Sequence, residues 1–253
     1  MTEKNINEMI LAFDTSGQSC ATAVAADGKV IASAFSNSGL THSKTLLPSI
    51  ESVLKDSQTD VSQINKIALT VGPGSFTGVK IGVSTAKGLA FAKKLPCLAV
   101  STMAVLACGA KGFDGIICPV SDARRGMLYN AVFRCERSGF TRLCEDRQIE
   151  ASELVNELSE YVKSGEKILI LGDGADILEK KCEQFGLLVY RAAQNVAYIH
   201  AEGIFEAIKE GFYEEKTAGE LTAVYLRPPQ AERERLERLA AEQKQKQKEK
   251  END

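Results

Sequence analysis

Apolar residues come in short bursts along the first hundred positions, and the spacing within each burst separates strands from helices. Apolar runs bounded by turn residues predict strands over 9–14, 19–25 and 30–35, a meander with a turn at Asp27-Gly28. Leu46, Leu47, Ile50, Val53 and Leu54 then fall at i, i+1, i+4, i+7 and i+8, which marks one apolar face of a helix over 42–55. Pro48 either kinks that helix or lies near its true start. A strand over 66–71 ends at Gly72-Pro73-Gly74, where permissive backbone and a fixed φ break the run. A helix, a strand over 97–101 and a helix over 102–110 complete the order βββαβαβα.

The helix that follows the glycine-rich turn has an unusual face. Ser75 or Thr77 can accept the free N–H groups of its first turn, and beyond them Gly78, Gly82, Ala86 and Ala90 recur at every fourth position. Each glycine costs roughly 1 kcal/mol of helix propensity relative to alanine, so this smooth ridge needs a close contact that offsets the cost. Val79, Val83 and Leu89 lie on other sides, which lets the helix cover its own sheet while the ridge meets a partner. On that reading Gly82→Leu or Ala86→Arg abolishes partner binding and leaves the monomer folded. The alternative is a ridge packed on a neighbouring helix of the same domain. Lys80, Lys87 and Lys94 form the wet edge.

Glycine-rich turns that open helices can bind phosphate, but the spacing here departs from the known fingerprints. Gly74 and Gly78 enclose three residues and Val79 follows, whereas a Walker motif has four residues between its glycines and then Lys-Ser or Lys-Thr.

The pattern then repeats. Residues 117–126 echo 10–17, an apolar strand ending in Asp and a polar turn; Asp122 follows Asp14 by 108 residues, and Val132 follows Val24 by the same interval. Ile168 to Gly174 repeats the strand followed by Gly-x-Gly. Two βββαβαβα lobes describe the α/β architecture of actin, the sugar kinases and the heat-shock ATPases. The expected division is a first lobe over 1–111, a smaller second lobe over 112–230 and a charged tail over 231–253. In this architecture the first hairpin of each lobe grips nucleotide phosphates. Asp14, Thr15 and Ser16, with Gly72, Gly74 and Ser75, are the candidates for a vestigial grip; caps on a strand turn, with no ligand, are the alternative.

Composition narrows the classes. The 253 residues are 44% hydrophobic, enough for a substantial core, and no segment approaches the roughly 20 apolar residues of a membrane span. With no apolar leader after Met1, a cytoplasmic location is expected. Seven scattered cysteines without a C-x-x-C pair read as reduced core thiols, and two histidines offer no zinc spacing. A net charge of −3 argues against tight nucleic-acid binding by this chain alone. His42 reads as a hydrogen-bonding residue at a helix start.

Asp14-Thr15-Ser16, His42-Ser43 with Leu46-Leu47-Pro48, the segment Gly72 to Val79, and Tyr225-Leu226-Arg227-Pro228 together resemble the TsaB (YeaZ) family of bacterial threonylcarbamoyladenosine synthesis. The likeness covers nearly all of residues 9–230, and its glycine-rich segment is the most specific part. The resemblance implies a non-catalytic scaffold that binds the catalytic homologue TsaD for modification of adenosine 37 in tRNAs reading codons that start with A. It further implies a TsaE-like ATPase in the complex, only indirect contact with tRNA and no resident cofactor, any nucleotide lying at a composite site with partners. Catalytic relatives carry two metal-binding histidines four residues apart, where this chain has Thr102 and Leu106, which cannot replace imidazoles. The resemblance also implies that the helix over 42–55 and the ridged helix pair with their equivalents in TsaD, and that the same surface can form a homodimer. Interface candidates are Leu46, Leu47, Ile50, Val53 and Leu54 on the first helix, and Gly78, Gly82, Val83, Ala86 and Ala90 on the second. A metal-dependent peptidase and an ATP-dependent small-molecule kinase are the competing activities of the fold. From 231 onward seven acidic and seven basic residues leave few apolar anchors, so a fraying helix is expected there.

Overall fold

A computed structural model describes residues 8–137 and 139–226. The charged tail, and Arg227-Pro228 of the last motif, lie outside the described residues. The first strands are β1 (Met9–Asp14), β2 (Cys20–Ala26) and β3 (Lys29–Ser36), followed by α1 (His42–Asp56), β4 (Lys66–Thr70), α2 (Phe76–Phe91), β5 (Cys97–Val100) and α3 (Thr102–Gly109). The second set is β6 (Gly115–Asp122), β7 (Met127–Glu136), β8 (Gly139–Glu150), α4 (Ala151–Lys163), β9 (Ile168–Leu171), α5 (Ala175–Gln184) and β10 (Tyr190–Arg191). Then come α6 (Ala201–Lys209) and β11 (Tyr213–Lys216).

Duplication is written in the strand order. The first sheet contains β5-β4-β1-β2-β3 and the second β10-β9-β6-β7-β8, the same topology, with Asp14 and Asp122 each ending the central strand of its lobe. In both, the central strand pairs parallel on one side and antiparallel on the other. The chain therefore has the two-lobed actin-like α/β fold that its pattern predicted. β1 is apolar on both faces because helices cover both, whereas β3 alternates exposed and half-buried residues as an edge strand should.

Sheet membership cuts across the expected 112–230 boundary. α6 packs over the first sheet in a core shared with α3, and β11 joins that sheet antiparallel to β5. The inner core spans both lobes, with Ala12 and Leu98 of the first beside Ile117 and Phe133 of the second. On the outer face of the first sheet, Leu46, Ile50 and Val53 of α1 and Val79, Ala86 and Ala90 of α2 are buried on Leu11, Phe13 and Leu69. Pro48 sits inside α1 and is exposed, so its missing N–H lies on the wet side of an unbroken helix. No helix among the described residues is long and apolar enough to cross a membrane.

All seven cysteines are free thiols, six buried and Cys144 partly exposed. Burial pushes the Cys108 thiol up to about 12 and the Cys182 thiol to about 11, which removes the reactive thiolate at ordinary pH. Iodoacetamide at pH near 8 should therefore label Cys144 first in the native protein and all seven only after unfolding. Mass spectrometry of the alkylated chain reads this directly; rapid native labelling of Cys108 would contradict the packing.

Candidate functional site

Two features of the first lobe gather the residues that the sequence singled out: the cleft between the lobes and a groove between α1 and α2. The cleft is built at strand ends. Asp14 is fully buried, and its Oδ1 accepts from Ser16 N at 3.0 Å, from Ser16 Oγ at 2.6 Å and from Thr70 Oγ1. Burial pushes the Asp14 carboxyl above its usual range, against the pull of those hydrogen bonds. Thr15 Oγ1 donates to the Gly78 carbonyl at 2.8 Å. The glycine-rich turn lies against the same β1–β2 turn: Ser75 N donates to the Ser16 carbonyl at 2.7 Å, and a Cβ on Gly74 would run into that carbonyl.

Asp14, Thr15, Ser16, Gly74 and Ser75 are thus brought together, as a phosphate grip would need, but their polar groups bond one another. Gly72, in the left-handed region at φ 114°, is set apart: a Cβ there would stand 2.5 Å from the Val224 carbonyl. Ser75 caps α2 by accepting from Gly78 N at 3.2 Å, and His42, the first residue of α1, donates from Nε2 to the Gly17 carbonyl at 2.9 Å, which ties that helix to the β1–β2 turn.

From the second lobe Asp173 faces this turn, its Oδ2 3.9 Å from where a Gly17 Cβ would stand, while its Oδ1 accepts from Asp122 N at 3.2 Å. Burial pushes the Asp173 carboxyl up as well. Between Asp14 and Asp173 lies a cavity of about 20 Å³, also lined by Thr102 and Leu106. That volume holds one water-sized body and is far below the roughly 300–1,000 Å³ of small-molecule sites.

A groove of about 400 Å³ runs between α1 and α2, with Leu46, Leu47, Phe76 and Ile81 in its lining and Lys80 at its rim. Leu47 is 53% exposed, Lys80 Nζ stands 4.1 Å from the Phe76 ring centroid, and the Tyr225 ring packs against Phe76 at 4.8 Å between centroids.

The small-residue ridge does not open into this groove, which corrects the partner-facing role expected for it. A Cβ on Gly78 would collide with the Thr15 carbonyl and one on Gly82 would stand 2.7 Å from Thr15 Oγ1; Val83, Ala86 and Ala90 are buried too. The glycines let α2 lie directly on the end of β1. What they accommodate most closely is the β1–β2 turn at Thr15, with the His42 ring of α1 also 3.2 Å from where a Gly78 Cβ would stand. Leu46, Ile50 and Val53 point the same way into the core, and Leu54 packs partly against it. Of the ten interface candidates, Leu47 is the one that stands clearly exposed.

Sequence reasoning also missed a polar clasp between the lobes. Ser101 Oγ, which caps α3, donates to Asp146 Oδ2 at 2.6 Å; Arg142 Nη2 donates to Ser101 Oγ at 3.0 Å and to Asp146 Oδ1 at 3.2 Å. The guanidinium lies over Phe133 of β7 and Phe212, 5.0 and 5.6 Å from their centroids. The clasp borders a cavity of about 700 Å³, walled by β8, β11 and the segment up to Leu226.

Among characterised proteins, the chain is 32% identical over 174 residues to the tRNA threonylcarbamoyladenosine biosynthesis protein TsaB of Bacillus subtilis, covering 69% of this chain and 75% of that protein. It is 33% identical over 221 residues to Escherichia coli TsaB, covering 78% of this chain and 93% of that protein. The chain belongs to the TsaB family. The family model of TsaD, tRNA N6-adenosine threonylcarbamoyltransferase, also matches residues 34–225, so this TsaB-family chain belongs as well to the broader family that model describes. The fold is shared with YeaZ from Pseudomonas aeruginosa, at a TM-score of 0.72 and 24% identity over 87% of this chain and all of that one. A second P. aeruginosa structure, described as similar to peptidase YEAZ, superposes with a TM-score of 0.73 over the same shares. Among the described residues of this TsaB-family chain, no group of three or more His, Cys, Asp or Glu is placed to hold a metal ion.

Proposed function

We propose that this chain is the non-catalytic, partner-binding subunit of the complex that makes threonylcarbamoyladenosine at position 37 of tRNAs reading codons that begin with A. The partner is a TsaD-like catalytic subunit, docked over the groove between α1 and α2. The reading rests on one observation above the others: in a chain of the TsaB family, the groove leaves Leu47, Phe76 and Ile81 accessible beside Lys80. A surface of apolar centre and charged rim is what a specific interface uses.

Cleft geometry supports the non-catalytic part. Its volume of about 20 Å³ accommodates no nucleotide, and the groups that would grip phosphate are bonded to one another. A nucleotide therefore lies at a composite site with the partners, among them a TsaE-like ATPase, and tRNA is met through the assembly. The same α1–α2 face serves a homodimer when the catalytic subunit is absent, so the two associations compete, in the cytoplasm of the cell.

Depleting the protein and measuring tRNA nucleosides by mass spectrometry tests the assignment. Loss of threonylcarbamoyladenosine is the expected result, and restoration requires the chain together with its groove. A normal level of the modified nucleoside after full depletion would end the proposal.

A further inference from the structure

The described chain ends between two openings of opposite character. Leu226 borders the 700 Å³ cavity, whose lining carries Glu145, Asp146, Glu214 and Glu220 against Arg142 and Lys216, both already paired with members of that set. Tyr225, one residue earlier, lies against Phe76 in the wall of the α1–α2 groove. Among the described residues the lining of that groove has Leu46, Leu47, Phe76 and Ile81 with Lys80, and no aspartate or glutamate.

Residues 227–253 follow, beyond the residues 34–225 that the family model matches. Pro228-Pro229 disfavour a helical start upstream of them. Beyond, Leu236, Leu239 and Ala240 fall at i, i+3 and i+4, with Glu232 one turn earlier and Gln243 about one turn later on the same face. Leu236 and Leu239 are the only leucines of this tail, and a helix so short with two apolar anchors is marginal in water until a surface covers them. From Leu226 the chain reaches up to about 20 Å by Glu232, and the groove follows about 14 Å of α2 from Phe76 to Thr85. The reach is sufficient.

We propose that residues 230–243 form a helix seated in the α1–α2 groove of their own chain, with Leu236 and Leu239 on Leu47, Phe76 and Ile81 and with Glu232 beside Lys80. The inference rests on the reading of this groove as the partner-binding face and adds its regulation, because tail and partner then compete for one surface. Charge selects the groove over the larger cavity: a glutamate that leads the apolar stripe meets an ammonium in the one and four carboxylates in the other. Linkage makes a weak contact sufficient. At an effective concentration of about 1 mM, a contact with a dissociation constant of about 0.25 mM fills the groove roughly four-fifths of the time and lowers the apparent affinity of a competing partner about fivefold.

Leu47→Cys combined with Leu236→Cys gives the direct test, on the full chain and without any partner. Mild oxidation should close a disulfide within one chain, read as faster migration on a non-reducing gel and as a linked peptide pair by mass spectrometry. The comparison is Leu236→Cys with Glu145→Cys, whose native side chain is 90% exposed at the rim of the 700 Å³ cavity. Equal linkage to that site overturns the proposal, as does a link between two chains or no link at all. Against the TsaD-like subunit, a chain cut after Gln230, which loses no described residue, should bind about fivefold more tightly than the full chain, and Leu236→Glu in the full chain should gain as much. Equal affinities of all three would overturn the competition. Failure of the partner-binding reading itself looks different: neither the cut nor the full chain binds that subunit, while the intrachain link still forms.

Discussion

Gly82→Leu should lose about 2–4 kcal/mol of unfolding free energy, measured by urea denaturation of the monomer followed by far-UV circular dichroism. A Cβ at this position already stands 2.7 Å from Thr15 Oγ1, with the Phe13 ring 4.0 Å away, so three further carbons have nowhere to go. Thr15 would have to rotate away from the Gly78 carbonyl and leave a buried hydroxyl donor unsatisfied. Helix propensity works in the opposite direction, since leucine is better than glycine by roughly 1 kcal/mol, and the overpacking outweighs it. Against a total stability of about 5–15 kcal/mol, the loss is large enough to shift the urea midpoint well outside error. Gly82→Leu that melts like the wild type would mean that α2 does not lie on β1 as described. Partner binding would fall with this variant as well, but as a result of unfolding rather than of a damaged interface.

That distinction shows where the sequence was informative. A repeat of small residues every fourth position defines a helix face and requires something close to it. It carries no information about what that something is, because a strand of the same chain and a helix of another select the same residue types. The direction was settled by tertiary contacts of Thr15 and Phe13, which lie more than sixty positions upstream. Element order was legible for a better reason. Each strand of the first lobe is an apolar run ended by Gly, Pro, Asn, Asp or Ser, and the duplication repeats both the runs and the terminal Asp at one interval.

β11 shows the opposite case. Tyr213-Glu214-Glu215-Lys216 has no apolar alternation, and it becomes a strand only because β5 offers an open edge more than a hundred residues away in sequence. The clasp was equally hidden. Arg142 and Asp146 sit four apart on a strand, a spacing that on a regular strand leaves two side chains too far apart to pair, and the Ser101 hydroxyl that joins them comes from the other lobe. Asp14 was legible as a strand-end carboxylate suited to a ligand, but the sequence could not show that the turn of Gly74 and Ser75 would close over it.

With the ridge turned inward, partner recognition falls to the residues that α1 and α2 leave outside, and Leu47→Glu combined with Lys80→Glu should separate binding from folding. Both side chains are exposed, so neither substitution opens a cavity nor buries a charge in the monomer, and urea midpoints should stay within error of the wild type. At an interface the outcome reverses. Leu47 stands at the mouth of the groove where a docked apolar side chain would exclude water, and a carboxylate there would be desolvated without a partner. Lys80→Glu inverts the rim charge and removes the ammonium from the Phe76 face. Loss of a hot-spot residue at an interface centre costs about 2 kcal/mol or more, so with Leu47 in that role affinity for the TsaD-like subunit should fall by roughly 30-fold or more in titration calorimetry. Self-association measured by gel filtration should weaken in parallel, because the proposed function gives both associations one face. A double variant that folds and binds its partner undiminished would move the interface elsewhere on the molecule; the 700 Å³ cavity beside the Ser101–Asp146 clasp would then be the next surface to probe.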